Sequence, residues 1–252
     1  MVKKYWIVFI TIITIKSIIL LSLLCLVIYK KFNSPPINEN FKIYTFWTGD
    51  NKMSRQRKKS LKQLRKKSKC NVILITPKNL NNYILKNHPL HKSYQYLSET
   101  HKADYLRTYF MRFYGGGYSD IKKTSGSWIS SFEKLQNNKN IWIIGYKEVK
   151  DGVANSQLVD KWEYLIGNCA YICKKDTQLV KDWYNEMIKL LDDSYEKLKK
   201  NPSTFPQDQK DSGSGYPLEW NELLGRIFHP LVYKYKNHVS NTLPISIFKN
   251  YR

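Results

Sequence analysis

The chain is poor in acid, poor in cysteine, and without any closely paired cysteine motif. Against 42 Lys and Arg stand 20 Asp and Glu, a formal charge of +22 over 252 residues. A surplus of this size bears on partners rather than on fold. It suits nucleic acid, an anionic surface or a phosphate-bearing substrate. An AT-rich genome, which favours Lys, Asn and Ile, is an equally open source of part of the excess. The cysteines are Cys25, Cys70, Cys169 and Cys173, with no CxxC pair among them, which argues against a zinc site. Cys169 and Cys173 fall in "NCAYICKK", which reads as a strand. Residues four apart on a strand are separated by about 13 Å, too far for a disulfide, so buried free thiols are expected. No internal repeat is evident. Aromatics make up 14% of the chain, enough large side chains to build a core.

Tyr5 to Tyr29, "YWIVFITIITIKSIILLSLLCLVIY", is apolar apart from hydroxyl residues and Lys16. As a helix it would span about 37 Å, more than a bilayer core of about 30 Å. Lys16 costs about 2.5–3.5 kcal/mol there, which its apolar neighbours offset. No small-x-small cleavage site follows, so the expectation is an uncleaved anchor over 5–29, after a short tail over 1–4. Lys3 and Lys4 balance Lys30 and Lys31, so charge does not set orientation. The anchor implies a single-pass membrane location, of the type II secretory-pathway kind if the source is eukaryotic or viral. Residues 30–40, with Pro35 and Pro36, read as a stiff linker. Residues 41–252 then suffice for one α/β domain.

"FKIYTFW" alternates and is rich in β-formers, so it reads as a strand. Met53 to Lys69 reads as a helix, densely basic and without acid. "NVILITP" is a continuous apolar strand, as expected when both faces are buried. Strand, helix, strand predicts a parallel unit with a right-handed crossover. In "SETHKADYLRTYFMRFYGGG", Ala103, Leu106, Phe110 and Phe113 recur at helical spacing. Ser98 or Thr100 can cap that helix, and Gly115 can end it. "GYSDI", "IWIIGYKEV" and "YLIGNCAYICKK" read as strands, and Thr177 to about Lys200 as an amphipathic helix. "LEWNELLGRIF" reads as a helix ending at "HP". The Ser127-Trp128 pair is expected to pack the helix that follows it.

Three consecutive glycines, Gly115, Gly116 and Gly117, lead through Tyr118 to Asp120. Glycines where loops gather at strand ends let a ligand approach the backbone. An aspartate there can bind a ribose hydroxyl or a divalent cation. A tight turn with a surface Asp is the plain alternative.

"KADYLRTYFMRFYGGGYSD" resembles the central motif of the sugar-transferase family named for a DXD motif, with its fungal initiating mannosyltransferases and similar bacterial capsular-polysaccharide transferases. Ala103-Asp104, Leu106-Arg107, Tyr114-Gly115-Gly116, Tyr118 and Asp120 carry the match. The segments opening at Ile43 and Ile166 resemble the family more loosely, and the likeness runs over about residues 41–190. It implies a GT-A-like, Rossmann-type nucleotide-sugar-binding domain and glycosyl transfer with retention. It implies catalytic roles for Asp120, Asp104, Arg107 and Asn168. Asp104 and Arg107 would lie near nucleotide and sugar, and Asp120 at a diphosphate-metal site with Mn²⁺ or Mg²⁺. Substrate contacts are expected from Trp47, Gly115, Gly116, Gly117, Tyr118, Lys122 and His229. Glu219 and Glu222 join His229 as candidates for the acceptor side.

Lys122 stands where the family carries its second acid, and a lysine cannot ligate a cation. Three accounts are open. Lys122 replaces the metal's charge at the diphosphate. Or a metal is held by Asp120 with a distant ligand such as Asp208, His229 or His238. Or activity is lost. The basic helix lacks interleaved aromatics and no nucleic-acid motif accompanies it, so anionic lipid headgroups or solvent are its expected partners, not nucleic acid. The reading is a membrane-anchored hexosyltransferase using a UDP- or GDP-linked sugar and a glycan, protein or lipid acceptor. Its rival is an inactive, anchored glycan- or lipid-binding protein on the same fold.

Overall fold

The computed structural model describes residues 14–25 and 37–251. The chain divides into two compact units, Met1–Ile37 and Asn38–Arg252. In the first, residues 14–25 form helix α1 with exposed side chains. The rest of the expected span, residues 5–13 and 26–29, lies outside the described residues, as do the tail over 1–4 and linker residues 30–36. Among the described residues no helix is long and apolar enough to cross a membrane. This corrects the expected single-pass membrane location.

The second unit opens three residues earlier than expected. Asn38–Asn40, taken as linker, begin strand β1, Asn38–Phe46. Helix α2, Arg55–Ser68, starts at Ser54, whose hydroxyl accepts the Arg57 N–H, and stops at Lys69, in the left-handed region at φ 62°. It buries Leu61 and Leu64 and returns the chain to β2, Cys70–Ile75. β1 and β2 pair in parallel, as the strand-helix-strand pattern predicts.

Helix α3, Glu99–Phe113, is capped by Ser98, which accepts the His101 N–H. The chain then turns sharply, with Gly115 at φ +64° and Gly116 at φ +80°, a region that glycine enters without strain. It runs directly into β3, Gly116–Ser119. β4, Lys123–Thr124, is a short strand outside the main sheet. Then come α4, Ile129–Asn137, β5, Ile143–Lys147, β6, Ile166–Cys173, and α5, Gln178–Lys200. α6, Gly225–Lys234, is followed by β7, Val239–Ser240, and β8, Ser246–Ile247.

The main sheet is mixed, in the order β2-β1-β3-β6-β5-β7. β3 lies at its centre, parallel to β1 and antiparallel to β6. One face is covered by a core in which Tyr105, Phe110, Trp183 and Phe228 are fully buried. The other holds Phe41, Leu64, Trp128 and Phe132. Trp128 has no exposure and its Nε1 donates to Thr124 Oγ1 at 3.0 Å. It fixes the start of α4, as expected of that position.

The last helix differs from its sequence reading. α6 begins at Gly225 and runs through Pro230 instead of ending at "HP". Residues 220–224 form turns, because the Glu222 carboxylate takes the Glu219 N–H at 2.8 Å and Asn221 Nδ2 donates to Ala154 O at 2.8 Å. Local side-chain bonds of this kind compete with a helical ladder.

Candidate active site

β1 and β3 run parallel, and their C-terminal ends deliver Trp47 and Asp120 to one edge of the sheet. The chain turns at Asp120, with the Lys122 N–H on Asp120 O at 2.6 Å. Asp120 N–H donates to Cys169 O at 2.8 Å, which ties the turn to β6. α3 passes beneath this edge and presents Asp104 and Arg107 one turn apart. They are 3% and 6% exposed, so this is an interior pair and not a surface one.

Four charged side chains converge here. The Arg107 guanidinium lies 3.0 Å from Asp104 Oδ1 and 3.4 Å from Asp120 Oδ1. It also donates to Asn168 O at 2.8 Å and sits 4.3 Å over the Tyr118 ring. The Tyr118 hydroxyl donates to Asp120 Oδ1, and Lys122 Nζ donates to Asp120 Oδ2. Arg107 is therefore largely spent on the protein, and of its nitrogens Nε is the one without a partner. It orients the two carboxylates and does not offer an open fork to a sugar. Asp120, with 21% of its side chain exposed against 8% or less for Asp104, Arg107 and Lys122, is the member a ligand can reach.

Burial pushes the Asp120 carboxyl up, but Lys122 and Arg107, with hydrogen bonds from Lys122 and Tyr118, outweigh it and hold the group below the usual carboxylate range. Asp104 goes the other way. Its burial raises it to about 6, against the pull of Arg107 and with a further push from Asp120. Burial works to lower Lys122, yet Asp120 and then Cys169 keep it above its ordinary value. At neutral pH the cluster thus holds two firm cations against one firm carboxylate and one weaker one.

Several neighbours of the cluster were not foreseen from the sequence. Lys122 Nζ also reaches Cys169 Sγ at 3.3 Å, and burial raises that thiol to about 11. The rings of Phe248 and Tyr251 lie 5.1 and 4.9 Å from Lys122 Nζ, so residues 248–251 cover the site. β8 holds them there by pairing with β4. Tyr146 lies flat over Gly167: a Cβ on that glycine would fall 1.9 Å from Tyr146 Cζ. Glu148, 5% exposed, faces His229 at 3.5 Å. Strand register brings Cys169 in: Ser119 faces Ala170, which sets Cys169 beside Asp120.

Other candidates lie elsewhere. Gly115 and Gly116 sit at the opposite end of β3, bordering a cleft of ≈ 480 Å³ lined also by Lys42, Tyr44, Tyr114 and Lys175. A Cβ at Gly115 would meet Lys175 N at 2.8 Å, and one at Gly117 would meet Ile43, Ile172 and Trp128. The close approach these glycines permit is that of the chain itself, not of a sugar beside Asp120. Asn168 contributes its carbonyl to Arg107. Trp47 is partly buried and its Nε1 donates to Asn51 O at 2.8 Å, closing the loop after β1. His229 has no exposure and its Nδ1 accepts the Ala154 N–H, so it is an interior residue and not an acceptor contact. Glu219 pairs with Arg226 and Lys210.

A divalent cation does not fit this donor set. Asp120 uses both oxygens on Lys122, Tyr118 and Arg107, and two cations flank it. Asp208 is taken by Thr204, Ser212 and Ser214, His229 by Ala154 and Glu148, and His238 by Asn140 O and the Trp142 ring. Among the described residues no group of three His, Cys, Asp or Glu could hold a metal ion.

Comparison with known proteins gives one family. The capsular polysaccharide synthesis protein family matches residues 25–194, more than half of the chain. Among solved structures, a PaToxG glycosyltransferase is similar at 12% identity and a TM-score of 0.43, covering 82% of this chain and 73% of that one. No curated protein matches.

Proposed function

The chain belongs to the capsular polysaccharide synthesis protein family, and from that premise we propose that it is a retaining glycosyltransferase. It moves a hexose from a nucleoside-diphosphate sugar to a glycan acceptor. The observation that carries this reading is the buried Asp104–Arg107–Asp120–Lys122 cluster at the C-terminal ends of β1 and β3, where open α/β sheets bind ligands.

In this reading Asp120 receives the donor, and Arg107 with Tyr118 fixes its carboxylate. Lys122 supplies the positive charge that the leaving diphosphate needs as its bond to the sugar breaks. That assigns to an ammonium group the role a metal would play, and it fits a site where Lys122 stands at the position of a second acid. Asp104, buried against Arg107, is a positioning residue.

The test is transfer or hydrolysis with a panel of UDP- and GDP-sugars, in EDTA and in Mn²⁺. Turnover is expected to persist in EDTA. Asp120→Asn should abolish it in a protein that still unfolds cooperatively, though at lower temperature because Lys122 and Arg107 lose their carboxylate, and Lys122→Asp should make any remaining turnover depend on Mn²⁺. A wild-type protein that is silent in EDTA and active in Mn²⁺ would remove the role given to Lys122. Full turnover in Asp120→Asn would remove the site.

A further inference from the structure

We infer that the outer face of α2 is a docking track for an anionic glycan chain, which it leads to the Asp120–Lys122 site. This rests on the transferase reading and names the acceptor's chemistry: a polysaccharide bearing carboxylate, sulfate or phosphate groups.

The inner face of α2 is explained by packing, through Leu61 and Leu64. The outer face is not. Arg55, Lys58, Lys59, Lys62, Arg65 and Lys66 are exposed and fall on one stripe opposite the buried residues, at spacings of three and four. None has an ion-pair partner among the described residues. Like charges at these spacings destabilise a helix. The first turn makes matters worse: it holds no acid, although the positive end of the helix dipole favours one. Folding therefore gains nothing from this stripe, and a bound polyanion would relieve it.

Position points to the acceptor. Arg57 donates to Ile121 O at 3.1 Å, one residue beyond Asp120. Gln63 exchanges two hydrogen bonds with the Thr124 backbone. The segment that leaves the active site thus runs along α2, and the N-terminal end of the helix stands beside Asp120 and Lys122. From Arg55 to Lys66 the stripe extends about 16 Å, a length suited to several sugars of a linear chain. Base-stacking aromatics, which single-stranded nucleic acid would call for, are absent from the helix.

The test uses the full chain and measures binding of alginate, a polyuronate, against neutral dextran across a salt series. Wild type should bind alginate with steep salt dependence and dextran not at all. Lys58→Gln/Lys62→Gln/Lys66→Gln should weaken alginate binding by about tenfold or more and flatten its salt dependence. Lys189→Gln/Lys197→Gln/Lys200→Gln, which removes equal charge from exposed positions of α5, should leave it near wild type. Equal losses in the two triple variants would show that net charge alone is at work and would overturn the track. So would tighter α2-dependent binding to phosphatidylserine vesicles or to single-stranded DNA than to alginate. Retained helical circular dichroism checks that the α2 variant is folded. Because the readout is binding and not turnover, its failure leaves the transferase reading standing, and loss of that reading leaves this measurement valid.

Discussion

Replacing Lys122 with alanine removes one half of a largely buried ion pair, with side chains 6% and 21% exposed. Breaking such a pair from one side costs about 3–5 kcal/mol when the abandoned charge has no other partner. Asp120 keeps Arg107 at 3.4 Å and the Tyr118 hydroxyl, and it retains some solvent. The expected loss is therefore lower, about 1–3 kcal/mol, the scale of a charge-assisted hydrogen bond. The sign of its pH dependence follows from the depressed Asp120 carboxyl. A depressed acid adds stability above its unfolded pKa of about 3.9, and that stability is lost as pH falls through the folded value. The gap between wild type and variant should be widest at neutral pH and should narrow in acid. Urea unfolding at neutral and acid pH reads it, with Lys122→Met as a second variant that keeps the volume. Calorimetry in EDTA then reads the ligand side. UDP or GDP affinity should fall by about 5- to 150-fold, the same energy range expressed as binding. A variant as stable as wild type at neutral pH, binding nucleotide as tightly, refutes the assignment of Lys122 to phosphate.

Two further outcomes follow from the geometry. Asp104, raised from 3.8 to about 6, should take away about 3 kcal/mol of stability as pH rises from about 4 through about 6, because the folded state prefers the neutral acid. Asp104→Asn should flatten the unfolding profile in that window, and an unchanged slope would assign it to another group. Gly167→Ala places a Cβ 1.9 Å from Tyr146 Cζ and should cost about 1–3 kcal/mol by overpacking. Adding Tyr146→Ala should restore part of it in a double-mutant cycle; a single variant melting like wild type would show that the ring lies elsewhere.

Much of the scaffold was legible because its signals are local. Ser98 caps α3, the apolar spacing of α3 sets its buried face, and the β1-α2-β2 unit follows from alternation, basic helix and apolar run. Asp120 at the end of β3 was legible for the same reason. What escaped depends on which strands become neighbours. β6 beside β3 brings in Cys169, and the β5–β6 register lays Tyr146 over Gly167. Neither leaves a mark on a single segment. Lys122 follows Asp120 through a tight turn, and its side chain curls back onto that carboxylate. The glycines were read through the ligand they could admit, and their neighbours proved to be Lys175, Ile43 and Ile172. His229 was a candidate for the acceptor side at the expected end of its helix. The helix continues past it, and the ring is interior.

The rings of Phe248 and Tyr251 over Lys122 make the 248–251 segment a party to whatever happens at the site. A ligand that takes Lys122 must either displace those rings or pack against them, so occupancy and placement of that segment are thermodynamically linked. Linkage acts in both directions. If ligand displaces the rings, Phe248→Ala/Tyr251→Ala raises affinity and saturating ligand speeds amide hydrogen exchange in residues 244–251. If ligand packs against them, both effects reverse. The direction of that pair of changes distinguishes a segment that competes with ligand from one that completes its binding surface.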